Sequence, residues 1–415
     1  MTCDNTVEPQ ISDKDWDAIE KVKAFAGIED TTSYSTPFNI LRWIYAYEYN
    51  LEEAAQKYKR HLNIRKILDL DNILNEDYDG NIDENADKYA PLTIMDKVVS
   101  NDDNRILVIE RTGMFDLTRM MENIKATPFI MNRFRIMEIM MKKIMEIERR
   151  TGKMSGCLLL FDMKGLKFQS NLISIITGPY RIMWGTLIEQ YPYFYTKMIV
   201  VNAPKFINVL YNACAAFVPQ EYRTRMNILN DNWKETIIEH IDPDSLPVYY
   251  GGTIPDPNGC ELCSNIVELP DSSPFDNPYD IKIDKKEIGN LKEYSIPAGG
   301  ILSLTYHLNE GDLIELYILQ SQEFTFNCVY TENKIKIDRK EQLKVYPEVH
   351  MGCERPGLST IDYFKWLIPK SGYYHFVYGN EKAWLFSVKF ELKAFVTTNY
   401  VNGDRKREIL KEIKD

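Results

Sequence analysis

The 415 residues, 44% hydrophobic and 12% aromatic, are enough to build two or three packed domains and exclude a disordered chain. With 61 acidic against 50 basic side chains the net charge is −11, which disfavours nucleic acid as a partner and permanent residence on an anionic membrane. No apolar run reaches the roughly 18 residues a bilayer span needs, and the opening MTCDNTVEPQ lacks a basic start followed by an apolar stretch, so the expectation is a cytoplasmic protein with transient, peripheral membrane contact.

From Asp13 to about Leu70 the pattern is helical, and Ser35-Thr36-Pro37 is a helix-start signature ahead of a periodic run through Ile40, Leu41, Ile44, Tyr58, Leu62 and Ile64. A helical lobe is expected over 13–75. The acidic stretch from Asp69 to Asp87 fails as a calcium loop, because counting from Asp77 the glycine falls fourth instead of sixth and the twelfth position is Lys88. It reads as a solvated loop.

Over 86–258, apolar runs alternate with helical stretches. Arg105–Glu110, Gly156–Asp162, Lys197–Asn202 and Met226–Leu229 have the composition of strands covered on both faces, separated by helices expected at Phe129–Arg150, Leu172–Gln190 and Phe206–Phe217. That alternation predicts βαβ crossovers and an α/β unit with a mostly parallel sheet. Met137, Met140, Met141 and Met145 on the first of these helices are pliable side chains whose default work is core packing.

A linker rich in Pro, Gly, Asn and Asp is expected over 259–274. Beyond it the period becomes two: Leu302, Leu304, Tyr306 and Leu308, then Phe324, Phe326, Cys328 and Tyr330, then Phe386, Val388, Phe390 and Leu392 alternate with other residues. An antiparallel β-sandwich is expected over 275–397, with the strand Tyr373–Tyr378 forming a hairpin with the one that follows. The charged tail 398–415 has the look of a frayed helix.

The chemistry of the sequence is sparse. No GxxxxGK[ST], strand-borne GxGxxG, GxSxG or HExxH occurs, and the five histidines are scattered at His61, His240, His307, His350 and His375, which points away from an enzyme and from any cofactor. The seven cysteines, Cys3, Cys157, Cys214, Cys260, Cys263, Cys328 and Cys353, fit reduced thiols. Cys260-Glu-Leu-Cys263 has the spacing of half a zinc site, but no second half follows, so no metal is expected. The most informative segment is Phe206–Phe217. Phe206, Leu210, Ala213 and Phe217 form a stripe, and Ile207, Val209, Cys214 and Ala216 carry apolar character around the cylinder. Such a helix fits a buried core position, a lipid or a membrane surface.

The ordered series NILRW, His61 with Arg65 and Lys66, LVIERTG (107–113), FDMKGL (161–166), VVNAPKFINVLYN (200–212), Asn232-Trp233 and LPVYYGGT (246–253) resembles the Sec14-like, or CRAL-TRIO, lipid-binding family. HLNEGDLIELYIL and FSVKFELKAF resemble the Golgi-dynamics (GOLD) domain carried by animal members. The resemblance implies a lipid tunnel floored by the sheet and closed by a gate helix that includes Phe206, Ile207, Leu210, Ala213 and Phe217. Exposing the roughly 30 methylenes of a two-chain lipid to water would cost about 24 kcal/mol, so enclosure is what carriage through the cytosol requires. The ligand implied is a phospholipid, tocopherol, squalene or similar. Members that bind phosphatidylinositol carry a glutamate where this chain has Tyr193 and a lysine where it has Arg225, which argues against a phosphoinositide. Lys167 occupies one of the positions that bear small hydroxyl residues in phosphatidylcholine-binding members. Tyr191, Tyr193, Tyr195, Arg225 and Lys167 are the candidate headgroup or pocket-mouth residues. The alternative function is a signalling or trafficking adaptor that contacts a protein partner through the GOLD-like module, with lipid as a structural or regulatory ligand.

Overall fold

The computed structural model describes residues 7–27, 32–76, 78, 82, 85–117, 120, 126–168, 172–175, 181–215, 218, 220–273, 289–320, 322–334, 343–351, 360–381, 383–399 and 405–413. Three helices open the chain: α1 (Asp13–Ala26), α2 (Pro37–Ala46) and α3 (Leu51–Ile67). Each begins on a side-chain cap, with Ser12 accepting from the Asp15 N–H at 3.2 Å, Thr36 from Asn39 at 3.2 Å and Asn50 from Glu53 at 3.4 Å. These caps satisfy donors that a first helical turn leaves unpaired. Pro37 occupies the first helical position, as the sequence signature predicts.

The short helix α4 (Asn85–Tyr89) leads into a five-stranded sheet in the order β1 (Thr93–Val98), β2 (Ile106–Glu110), β3 (Cys157–Asp162), β4 (Tyr195–Val201), β5 (Met226–Ile228). The pairs from β2 to β5 are parallel and β1 is antiparallel to β2. The helix α5 (Ala126–Thr151) connects β2 to β3; α6 (Leu172–Ile175) and α7 (Arg181–Gln190) connect β3 to β4; α8 (Ile207–Ala215) and α9 (Gln220–Thr224) connect β4 to β5. Right-handed crossovers between strands in sequential order place these helices on one face of the sheet. Period two then divides the strands: Ile106, Val108, Cys157, Leu159, Met198 and Val200 pack with Met137, Met140 and Ile144 of α5. Leu107, Ile109, Leu158, Leu160, Ile199 and Val201 pack on the opposite side with Trp233, Ile237, Leu246 and Tyr250 from the returning chain, which includes α10 (Trp233–Thr236). The helix expected over 172–190 is thus found as two described pieces, with 176–180 outside the described residues.

Two close approaches shape the ends of the strands. A Cβ at Gly113 would meet the Met163 carbonyl carbon at 2.2 Å, and one at Gly252 would meet the Leu246 carbonyl oxygen at 2.1 Å. Asp162 holds the turn after β3 by accepting from the Lys164 N–H at 3.0 Å, Asn202 Nδ2 at 2.7 Å and the Tyr250 hydroxyl at 3.1 Å.

The helical lobe is fastened to α5 by two buried ionic networks. Arg42 donates to Glu148 at 2.5 Å, Asn39 at 2.7 Å and the Ser155 carbonyl at 2.9 Å. Arg65 pairs with Glu138 at 2.6 Å and with Asp71 at 2.5 Å. Glu138 also accepts the Tyr191 hydroxyl at 2.5 Å, and His61 Nδ1 lies 2.9 Å from Gln190 Oε1 at the end of α7.

The C-terminal module is a sandwich of two antiparallel sheets. One has the order β10 (Leu343–Met351), β9 (Phe324–Thr331), β12 (Gly372–Gly379), β7 (Ile301–Leu308). The other has β11 (Thr360–Leu367), β8 (Leu313–Gln320), β13 (Val388–Asn399), β14 (Arg405–Ile409), with β6 (Lys292–Ile296) also on β13. Rings meet across the gap: Phe326 on Trp366 at 6.4 Å, Phe376 on Trp366 at 5.5 Å, Phe324 on Phe390 at 5.0 Å and Tyr378 on Phe390 at 4.6 Å. The first sheet's β10 lies against α3, α5 and α7, and β11 lies against α5.

Three expectations for this module are corrected. The strand at 373–378 forms, but it pairs with β7 and β9 and not with its successor, because the chain from 380 to 387 crosses to the other sheet. Phe386, expected to face inward, lies on that crossing and is 76% exposed. The tail is not helical among its described residues: Arg405–Ile409 adds a strand to the edge of β13, where Arg407 bonds Glu315 at 2.7 Å and lies 3.9 Å over the Phe395 ring. The sandwich therefore extends past 397.

Candidate functional site

A narrow cavity opens between the helical face of the sheet, α5 and α7. It holds about 700 Å³ of empty space when its open mouth is included, and its walls are Ile136, Met137, Met140, Met183, Trp184, Leu187 and Tyr195, closed at one side by Ala90, Leu92, Phe115, Leu117, Met120 and Phe129. Trp184 bridges wall and floor, 5.5 Å from the Tyr195 ring and 6.3 Å from Phe161. Among the described residues two charged side chains line it, Glu110 and Arg133.

Both charges are buried, Glu110 to 4% exposure and Arg133 to 7%. Glu110 ends β2 and follows Ile106 and Val108 in the period-two series that faces the helices. Its carboxylate accepts the Thr112 hydroxyl at 2.9 Å. Burial pushes the Glu110 carboxyl above its ordinary range, while the Arg133 guanidinium and the Thr112 hydrogen bond pull it down. Arg133 lies one and two helical turns from Met137 and Met140 on α5, donates to the carbonyls of Ala86 and Ala90 at 3.1 Å each, and lies 4.9 Å from the Phe129 ring centre.

Of the residues the sequence nominated, Tyr195 alone lines the cavity; it is buried, and burial raises its hydroxyl. Tyr191 is not at a mouth. It is 1% exposed and packed beneath the helical lobe, bonded to Glu138 and set edge-on to His61. Tyr193 takes a left-handed backbone (φ 54°), meets Tyr45 edge-on at 5.5 Å and carries the Arg225 guanidinium 4.4 Å over its ring. Arg225 donates to the Tyr195 carbonyl at 3.1 Å and pairs with Glu221 at 3.5 Å, so it is bound into the structure. Lys167 is exposed.

The segment nominated as a gate is helical over Ile207–Ala215. Leu210 is buried, Phe206 and Ile207 are half-buried, and Phe206 meets the exposed Phe168 ring at 5.3 Å. Asn208, Val209 and Asn212 face solvent. The side chain of Ala213 and all of Phe217 lie outside the described residues. None of the α8 residues whose side chains are described is among those lining the cavity. Cys260 and Cys263 are free thiols, Cys263 buried and Cys260 accepting from Ser264 at 3.1 Å. Among the described residues no group of three or more His, Cys, Asp or Glu is placed to hold a metal, and no helix is long and apolar enough to cross a membrane.

Comparison with known proteins bears on this same unit. Residues 99–252, which hold β2 to β5, α5, α7, α8 and both cavity charges, match the model of the CRAL/TRIO domain. Over these residues the chain is similar to the CRAL-TRIO, Sec14-like domain. Residues 277–406 match a second model, the F28H7_8_C-like C-terminal domain, which coincides with the sandwich and reaches into β14. The CRAL-TRIO domain-containing protein F28H7.8 of Caenorhabditis elegans is 28% identical over 372 residues, 89% of this chain and 87% of that protein. The Sec14 cytosolic factor of Schizosaccharomyces pombe is 26% identical over 227 residues, 54% of this chain and 77% of its own length. The crystal structure of Sfh5 superposes with a TM-score of 0.47 at 15% identity, over 63% of this chain and 93% of that one.

Sequence reasoning missed Glu110 and Arg133. The signals were present: a charge at the third inward position of Ile106, Val108, Glu110, and an arginine in register with the Met137, Met140 stripe.

Proposed function

We propose that the chain is a lipid carrier: it takes a hydrophobic lipid into the cavity under α5 and α7 and moves or presents it between membranes, with α8 as the gate and no covalent bond made or broken. The observation that carries this reading is an apolar cavity with two buried charges inside the CRAL-TRIO-like domain. The gate assignment is supported by the one-sided burial of α8, which leaves Val209 49% exposed beside the buried Leu210. Such a helix can swing out and rest on a membrane surface by its apolar side. Membrane contact is then transient and peripheral, from the cytoplasm. Native mass spectrometry with solvent extraction of the purified chain, together with transfer of a labelled lipid between liposomes, tests the reading. A lipid should co-purify, and Leu210→Asp should abolish transfer. A chain that neither carries nor takes up lipid refutes the carrier, and a Leu210→Asp variant with full uptake and transfer refutes the gate.

One observation favours the adaptor reading of the sandwich as a GOLD-like module. Trp384, Leu385 and Phe386 are 93%, 81% and 76% exposed in succession on the crossing between β12 and β13. The crossing is held in shape by the Asn380 side chain, which donates to the Phe386 carbonyl at 3.0 Å. Three adjacent large apolar side chains held out in water mark a contact surface. A variant with all three replaced by serine should lose recruitment of a protein partner while keeping lipid uptake. Unchanged recruitment refutes the adaptor.

A further inference from the structure

The Cys260-Glu-Leu-Cys263 motif has no part in lipid carriage. The Cys263 N–H donates to the Cys260 carbonyl at 2.8 Å, which closes the four residues into a β-turn. Such a turn brings its first and last Cα atoms within about 7 Å, and a disulfide spans roughly 4.4–6.8 Å. The loop is held in shape around it. Asp256 accepts from the N–H groups of Asn258 at 2.9 Å, Cys260 at 3.1 Å and Asn265 at 3.0 Å, and the buried Arg111 donates to the Leu262 carbonyl between the two cysteines. The two thiols are placed unequally: Cys263 is fully buried, whereas Cys260 is partly open to solvent and its sulfur accepts the Ser264 hydroxyl at 3.1 Å. That hydrogen bond, followed by those of the Ser264 and Leu262 N–H groups, holds the Cys260 thiol below its ordinary range against burial and the Asp256 charge. Burial does the reverse at Cys157 and Cys328, whose thiols are pushed up.

We propose that Cys260 and Cys263 are a redox-active dithiol that a hydroperoxide closes to a disulfide, with Cys260 as the attacking thiol and Cys263 as the resolving one. The Cys260 sulfur, as thiolate, attacks one peroxide oxygen: an S–O bond forms, the O–O bond breaks, and hydroxide or alkoxide leaves with the electron pair. Sulfur is oxidised to the sulfenic acid and the peroxide is reduced. The Cys263 sulfur then displaces the sulfenic hydroxyl: an S–S bond forms, the S–O bond breaks, and the departing hydroxide takes the Cys263 proton and leaves as water. Access and thiolate character mark the attacking partner, and a resolving thiol one turn away outcompetes further oxidation. A structural metal is the rival use of this spacing, but among the described residues no third His, Cys, Asp or Glu completes a ligand set with the pair. The proposal is independent of the lipid-carrier reading.

The test treats the reduced full chain with hydrogen peroxide at pH 7 and maps every cysteine by mass spectrometry of alkylated digests. The wild type should form the bridge between Cys260 and Cys263 before Cys157 or Cys328 is oxidised. Before peroxide is added, iodoacetamide should label Cys260 about tenfold or more faster than Cys157 and Cys328. Cys263→Ser should stop at a sulfenic acid on Cys260, trapped by dimedone, and Cys260→Ser should leave Cys263 as a thiol. Ser264→Ala, which removes the hydroxyl donor, should slow labelling of Cys260 about threefold. The wild-type map decides the matter even if a variant fails to fold. Peroxide that leaves both thiols reduced, or that oxidises Cys260 without a bridge to Cys263, overturns the proposal. So does a zinc ion that co-purifies with the wild type and is lost in Cys260→Ser.

Discussion

His61 is held by the fold in a form that acid will attack. The ring is fully buried between Tyr34 at 4.9 Å, Trp43 at 5.3 Å and Tyr191 at 5.7 Å, and its Nδ1 lies 2.9 Å from Gln190 Oε1. Burial, followed by the charge of Arg65, lowers its pKa from 6.5 to about 3 against the opposing hydrogen bond to Gln190. The folded state therefore keeps His61 neutral where the unfolded chain takes a proton, and the stability involved is whole above pH 6.5 and is lost as the pH falls from there toward 3. Each unit in that window costs about 1.4 kcal/mol, so moving from pH 7.5 to pH 5 removes roughly 2 kcal/mol through this one ring. His61→Phe keeps the ring contacts and removes the titration. Urea unfolding of both proteins at pH 7.5 and pH 5, followed by tryptophan fluorescence, isolates the effect, because the carboxylates common to both cancel in the difference of differences. The wild type should lose about 2 kcal/mol more than the variant on acidification. Equal losses in the two proteins refute the reasoning.

Other consequences are equally direct. Arg42→Ala strands the Glu148 carboxylate at 3% exposure and should cost about 3–5 kcal/mol in chemical unfolding, whereas Arg42→Met with Glu148→Leu should recover most of it. Because burial raises the Glu110 carboxyl, the folded state holds that proton longer than the unfolded chain, so wild-type stability declines as pH rises above the ordinary carboxylate range. Glu110→Gln should then melt higher than wild type at pH 7.5, with the advantage vanishing at pH 4, as measured by thermal scans. A spin-labelled fatty tail bound in the cavity should quench tryptophan emission through Trp184, and Trp184→Phe should remove most of that quenching. Gly252→Ala drives a methyl against the Leu246 carbonyl and should cost about 1–3 kcal/mol by urea titration.

The central parallel strands were legible because they are covered on both faces and so read as continuous apolar runs: β2 and β3 are buried at every residue. The helical lobe announced itself by caps and period, and the inward residues Leu304, Tyr306, Phe326, Phe390 and Leu392 by alternation. β1 was not foreseen, since TIMDKV sits at the sheet edge with only Met95 buried and carries two charges. The tail was misread for a related reason. RKREI has the composition of a helix, yet the open edge of β13 supplies five backbone pairings, and its charged side chains suit an edge strand in water. Tertiary pairing overrode local preference. The hairpin expected after β12 failed because nearness in sequence does not fix which of two packed sheets a strand joins.

The candidate site was hidden by the same period that revealed the strands. In β2 the residues facing the returning chain, Leu107 and Ile109, meet Trp233, Ile237 and Leu246 in a closely packed core. The residues facing the helices are Ile106, Val108 and then Glu110, where the neighbouring volume is open. A carboxylate in the first setting would have no partner and would cost several kcal/mol. In the second it has Thr112, the charge of Arg133, and space on its remaining side. Reading a strand for its alternation alone registers Glu110 as a lapse at the end of an apolar run. Reading it for which face each residue takes turns the lapse into a coordinate, because a charge that recurs on the inward face of a covered strand requires something polar opposite it. Arg133, spaced on α5 to fall in line with Met137 and Met140, supplies that counterpart from the other wall. The two positions lie 23 residues apart and line one cavity only once the crossover helix has folded back over its strand, which is why neither residue alone marks a site.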